Sequence, residues 1–133
     1  MWLNEMRKVY FISGHRNISE KEFKDNYAGP LLEASLNEHD TFVVGDYYGV
    51  DIMAQNYLVD ILKINPNRIT VYHMFDSPRN KNPKITNTKG GFKTDSERDS
   101  AMTNDSNIDI AFVRDEKKMS GTGENILRRR KLR

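Results

Sequence analysis

The sequence has no cysteine among its 133 residues. Disulfides and thiolate metal sites are therefore excluded, and a reducing cytoplasm is the expected setting. No apolar run approaches the roughly 20 residues that cross a bilayer, and Met1-Trp2-Leu3-Asn4-Glu5 does not open a secretory pattern. These absences predict a soluble cytoplasmic protein with no membrane partner. Histidine is scarce: His15, His39 and His73 show no metal-ligand spacing, and no paired carboxylate motif marks a hard-cation site. No bound metal and no cofactor are expected. No nucleophile-elbow pattern supports a Ser-His-Asp triad, and no internal repeat or low-complexity segment divides the chain. Residues 1–133 read as one domain, long enough to bury a core.

Hydrophobic residues make up 37% of the chain and charged ones 30%, with a net charge of +2. That small excess is a property of the tail, residues 128–133, where Arg128, Arg129, Arg130, Lys131 and Arg133 stand together. Without those five the chain has 16 basic against 19 acidic side chains, a charge of −3. Basic charge at a helix end complements the helix dipole, and no aromatics interleave the tail, so nucleic acid is not an expected partner.

The apolar pattern alternates between strands and helices. Lys8–Ile12, Thr41–Val44, Ile69–Met74 and Ile108–Val113 read as strands of continuous apolar character, which suits a sheet covered on both faces. Ser19 with Glu22 forms a capping box and opens a helix bearing Phe23, Tyr27 and Leu31 or Leu32. Gly29-Pro30 predicts a kink or a second short helix with Pro30 in its first turn. Val50, Met53, Ala54, Tyr57, Leu58 and Ile61 repeat at helical spacing, giving a helix from about Val50 to Leu62. A short helix follows from Asp95 or Ser96 to Met102, and a last one starts at Glu124. The connection at 76–94 carries Arg79, Lys81, Lys84, Lys89 and Lys93 together with Gly90-Gly91. It reads either as a lid over an anionic ligand or as a plain surface excursion.

This alternation predicts an α/β fold: a mostly parallel sheet of about four strands, in the order 3-2-1-4, with helices on both faces. Ligands in such sheets bind beyond the carboxyl ends of the strands, where the strand order reverses. Three junctions should meet there: Ser13-Gly14-His15-Arg16, the Gly45–Asp51 turn, and the Ser120-Gly121-Thr122-Gly123 turn. Glycines let backbone N–H groups approach a ligand, and a helix start offers unpaired donors and partial positive charge. The last turn is an anion cradle or an ordinary strand-to-helix turn. Arg16 is a phosphate ligand or a surface ion pair. Asp51 holds ribose hydroxyls or orders its own glycine turn, and Asp46 has the same ambiguity. Gly14, His15, Gly45 and Gly49 complete the candidate binding set.

Gly45-Asp46-Tyr47-Tyr48-Gly49-Val50-Asp51 with Ala54 resembles the G-x-x-x-G-x-D-x-x-A pattern of the SLOG superfamily, Rossmann-like nucleotide-binding proteins that include the LOG phosphoribohydrolases. Ser13–Arg16 is similar to the small-residue-plus-arginine turn after their first strand. Arg98-Asp99 with Met102 looks like their R-[KND]-x-x-M element, and Ser120–Glu124 is similar to their Gly-Gly-x-Gly-Thr loop. In this chain that loop is shorter and lacks the double glycine. The resemblance spans Lys8 to Leu127. It implies a Rossmann-like three-layer sandwich, a nucleotide or nucleotide-derived ligand, and a homodimer. By carry-over it makes Arg98 and Glu124 the catalytic pair for cleavage of a nucleoside-monophosphate N-glycosidic bond. Without catalysis, the same pocket would serve a silent receptor or sequestering protein for a nucleotide-derived signal. Glu124 is otherwise an acidic residue in a helix's first turn, and Arg98 an ion-paired helix residue.

Overall fold

In a computed structural model, the structure describes residues 7–114 and 121–131. Ser120, Arg133 and the segment at 1–6 lie outside the described residues. Five strands form one sheet: β1 (Val9–Ile12), β2 (Thr41–Val44), β3 (Ile69–Met74), β4 (Thr88–Phe92) and β5 (Ile108–Ile110). Every strand pair is parallel, in the order β4-β3-β2-β1-β5. The predicted 3-2-1-4 core is therefore present, with β5 as its fourth strand. The correction is an extra edge strand, β4, inside the connection at 76–94. Its sequence, Thr-Lys-Gly-Gly-Phe, is mostly exposed, and a polar edge strand carries no apolar signature to read.

The helices are α1 (Glu20–Phe23), α2 (Gly29–Ser35), α3 (Val50–Asn56), α4 (Asp95–Asn104) and α5 (Gly121–Lys131). Ser19 caps α1 with both bonds of the capping box: the Glu22 N–H donates to Ser19 Oγ at 3.0 Å, and the Ser19 N–H to Glu22 Oε1 at 3.1 Å. A π-helical turn (Lys24–Ala28) joins α1 to α2, with Pro30 in the first turn of α2. The wider turn accommodates a ring that would otherwise clash with the preceding helical carbonyls. A second π-helical turn (Tyr57–Ile61) continues α3. The two covering layers separate cleanly. Phe23, Tyr27, Leu31, Val50, Ala54 and Leu58 pack on one face of the sheet against Ile12, Phe42, Val44 and Ile69. Met102 of α4 packs on the other face against Phe11, Val43 and Tyr72. Adjacent strand residues thus feed opposite layers, as the pleat requires.

The last helix also departs from expectation. It is helical from Gly121 rather than Glu124, so Gly121, Thr122 and Gly123 form its first turn instead of a preceding loop. Thr122, Asn125 and Arg129 are buried. Their i, i+3, i+7 spacing makes a polar stripe that holds this first turn against the fold. Among the described residues no helix is long and apolar enough to cross a membrane.

Candidate functional site

The strand order reverses at β1, between β2 and β5, and a cavity of about 760 Å³ opens at that end of the sheet. Its walls are Ser13–Asn17 after β1, Tyr47, Tyr48 and Asp51 after β2, Asp95, Arg98, Asp99 and Met102 of α4, and Gly121, Thr122 and Asn125 of α5. All three junctions singled out from the sequence contribute. Tyr27 ties two of the strand exits together. Its hydroxyl donates to the Ser13 carbonyl at 2.7 Å and accepts the Phe112 N–H at 3.0 Å.

Two glycines are required by close approach. Gly49 has φ of 80°, and a Cβ there would stand 2.4 Å from the Arg16 Cα, where the two turns cross. The Val50 N–H donates to the His15 carbonyl at the same crossing, at 3.2 Å. A Cβ on Gly45 would stand 2.5 Å from Asp51 Oδ2 and 3.0 Å from Arg98 Cζ. The bare backbone at Gly45 lets a carboxylate and a guanidinium pack against it side by side. Neither Gly45 nor Gly49 lines the cavity. They shape the wall for others.

Behind the cavity lies a buried ion network. Asp46 is fully buried and accepts the Arg79 N–H at 2.8 Å, Arg79 Nη2 at 2.9 Å and Arg98 Nη1 at 2.7 Å. Burial works to raise its pKa, but the bonds from Arg79 and the charge of Arg98 outweigh it and hold the carboxyl below its ordinary value. Arg98 also donates to Asp99 Oδ1 from Nη2 at 3.0 Å and lies 3.4 Å from Asp95. Asp99 is raised by burial, against the pull of Arg98 and a bond from Asn125 at 3.4 Å. Asp51 accepts the Tyr47 N–H at 3.0 Å and makes no ion pair among the described residues. Burial pushes its carboxyl up to about 7. His15 accepts the Arg114 N–H on Nε2, at 3.1 Å. Burial and the nearby Arg114 charge lower its pKa, so the ring is a neutral imidazole at neutral pH.

The sequence-predicted residues divide into those at the cavity and those away from it. Ser13, Gly14, His15, Arg16, Asp51, Arg98, Gly121 and Thr122 line it. Asp46 lies beneath it, as the anion that holds Arg98. Glu124 is exposed and outside the lining, and the neighbouring Asn125 faces the cavity instead. The Glu124–Arg98 pair is therefore not assembled here: a helix starting at Gly121 turns position 124 away from the face that holds 122 and 125. Gly123 is also outside the lining. No residue of the 76–94 connection lines the cavity, and three of its cations are bonded within the fold. Arg79 holds Asp46, Lys89 pairs with Asp105 at 2.9 Å, and Lys81 donates to the Ile85 carbonyl at 2.6 Å. Asp99, Asp95 and Asn125 were missed as site residues. Asp95, Arg98, Asp99 and Met102 recur at i, i+3, i+4 and i+7, a one-face helical stripe that was available to find them. Among the described residues no group of three or more potential ligands could hold a metal.

Comparison with protein-family models, curated proteins and solved structures found no match. The site is therefore read from its own geometry. That geometry offers polar backbone and hydroxyl groups on the β1 and α5 walls, and a carboxylate-rich wall on α3 and α4.

Proposed function

We propose that this chain binds a nucleotide or nucleotide-derived small molecule, and that it hydrolyses the N-glycosidic bond of a nucleoside monophosphate. The observation that carries the reading is the convergence of the turns after β1 and β2 with the first turn of α5. They meet on one cavity of about 760 Å³ at the strand-order reversal. This volume lies in the range of small-ligand sites, and the position is where open α/β sheets bind ligands. The resemblance to the SLOG superfamily agrees with it, and extends the proposal to a homodimer in the cytoplasm. Phosphate is assigned to Gly14, Ser13 and the Gly121-Thr122 turn. The sugar faces Asp51.

A silent receptor is the second reading, favoured by one observation: Glu124, the glutamate the resemblance makes catalytic, is exposed and outside the cavity lining. One experiment separates the two. The protein is incubated with ribonucleoside monophosphates and ADP-ribose, and thermal stabilisation and free base are followed together. A ligand held at 100 times its Kd adds about 2.7 kcal/mol. Stabilisation with base release supports the hydrolase, stabilisation alone the receptor, and neither response sinks both. Light scattering tests the dimer.

A further inference from the structure

Resting on that hydrolase reading, we propose that Asp99 and Asp51 are the catalytic carboxylates, Asp99 taking a proton from the attacking water and Asp51 giving one to the departing base. Both line the cavity, from different elements: Asp51 stands in the first turn of α3 and Asp99 on α4.

The charge around this wall is unbalanced. Among the described residues, Asp46, Asp51, Asp95 and Asp99 gather about two guanidinium groups, the buried Arg98 and the more exposed Arg79. Arg98 serves Asp46, Asp95 and Asp99, while Arg79 serves Asp46 and Asp95. Asp51 accepts the Tyr47 N–H at 3.0 Å and, with Arg98 packed beside it at Gly45, makes no ion pair among the described residues. A wall with surplus carboxylate repels a phosphate and stabilises developing positive charge, which is what glycosidic cleavage places on C1′ and the ring oxygen. The phosphate has a separate place. Ser13 is only 6% exposed, lines the same cavity, and its hydroxyl has no partner among the described residues. It shares that wall with the first turn of α5. A ligand with an anionic end and an incipiently cationic centre fits the two walls together.

The two carboxyl groups differ as an acid and a base must. Burial, with Asp46 and Asp99 adding to it, raises Asp51 to about 7 despite Arg98. Asp99 is raised by burial as well, but its bonds from Arg98 and Asn125 favour the ionised form. In the reaction the C1′–N bond breaks with its electron pair passing to the base nitrogen, which takes the Asp51 proton. The water oxygen bonds to C1′ and its proton passes to Asp99. Exchange with solvent returns the pair to its starting state, and the net change is the addition of one water.

The test uses the full chain with the four common ribonucleoside 5′-monophosphates, measuring binding by calorimetry and free base by chromatography. Wild type is expected to release base, with a bell-shaped dependence of rate on pH. Asp51→Asn and Asp99→Asn should each lower kcat about 10²–10⁴-fold, with Kd nearly unchanged, and Asp51→Asn should lose the alkaline limb. Asp99→Glu keeps the charge beside Arg98, so it guards against misfolding; it should retain binding and lose rate. Binding without base release, or near-wild-type turnover in either Asn variant, overturns the carboxylate assignment while leaving nucleotide binding standing. Absence of any binding removes both.

Discussion

Arg98 Nη1 lies 2.7 Å from Oδ1 of Asp46, and that carboxylate has no exposed surface. Arg79 donates to the same carboxylate from its backbone N–H, Nε and Nη2. One buried anion therefore anchors both the cavity helix α4 and the start of the long connection. That connection acts as a strut. Asp46→Ala removes the fully buried anion that both guanidinium groups share, leaving them Asp95 and Asp99 nearer the surface, and should cost about 3–5 kcal/mol in urea denaturation. The folded pKa of Asp46 lies below its unfolded value. Its contribution is thus present above the ordinary carboxylate range and lost as pH falls through the folded value. A cost under about 1 kcal/mol would show that the network is ornamental to stability.

Asp51 should give the opposite pH dependence. It is 8% exposed, and burial lifts its carboxyl from 3.8 to about 7. Between those values the folded chain keeps a proton that the unfolded chain has released. Stability then falls as pH rises from about 4 to about 7 and levels off above, by an amount on the order of 4 kcal/mol at most. Asp51→Asn preserves an acceptor for the Tyr47 N–H without the charge. The variant should match or exceed wild type at pH 8, with a flatter stability profile across that window. A wild-type slope in the variant would refute the burial account.

Gly49→Ala should destabilise by more than about 1 kcal/mol. The backbone is left-handed there, and the added methyl would meet the backbone of Arg16. Because the turns after β1 and β2 cross at this point, ligand stabilisation should fall as well. Loss of stability with unaltered ligand affinity would mean that the crossing does not shape the cavity.

The parts of the fold that were legible in the sequence are those governed by apolar periodicity. The Ser19–Glu22 box, the helix after Gly49 and the 3-2-1-4 core all follow from local patterns that their packing reinforces. Strand β4 was not legible because an exposed edge needs no apolar face, and its Gly90-Gly91 reads as a loop. The cavity's position followed from strand alternation. Its chemistry did not, because Asp46, Arg79 and Arg98 are 33 and 52 positions apart in sequence. Glycine at 121 and 123 suggested a loop, whereas burial of Thr122, Asn125 and Arg129 rewards a helix that starts earlier. That one-turn difference exchanges Glu124 for Asn125 at the cavity wall.

The basic tail divides by the same helical geometry. Arg129 is 7% exposed, lies 3.0 Å from Asp109, and donates to the carbonyls of Thr103 and Ser106 at 3.0 and 2.7 Å. It bolts α5 to the end of α4 and to β5, which places Thr122 and Asn125 at the cavity. Arg130 and Lys131 are exposed on the same helix. Arg129→Ala should therefore cost about 3–5 kcal/mol, because it strands the Asp109 carboxylate. Arg130→Ala and Lys131→Ala should each stay within about 0.5 kcal/mol. Denaturation in low and high salt adds a second check, since screening weakens exposed charges far more than a buried pair. The Arg129 effect should persist at high salt. If all three substitutions behave alike, the tail is a solvated charge run and α5 is held by something other than Arg129.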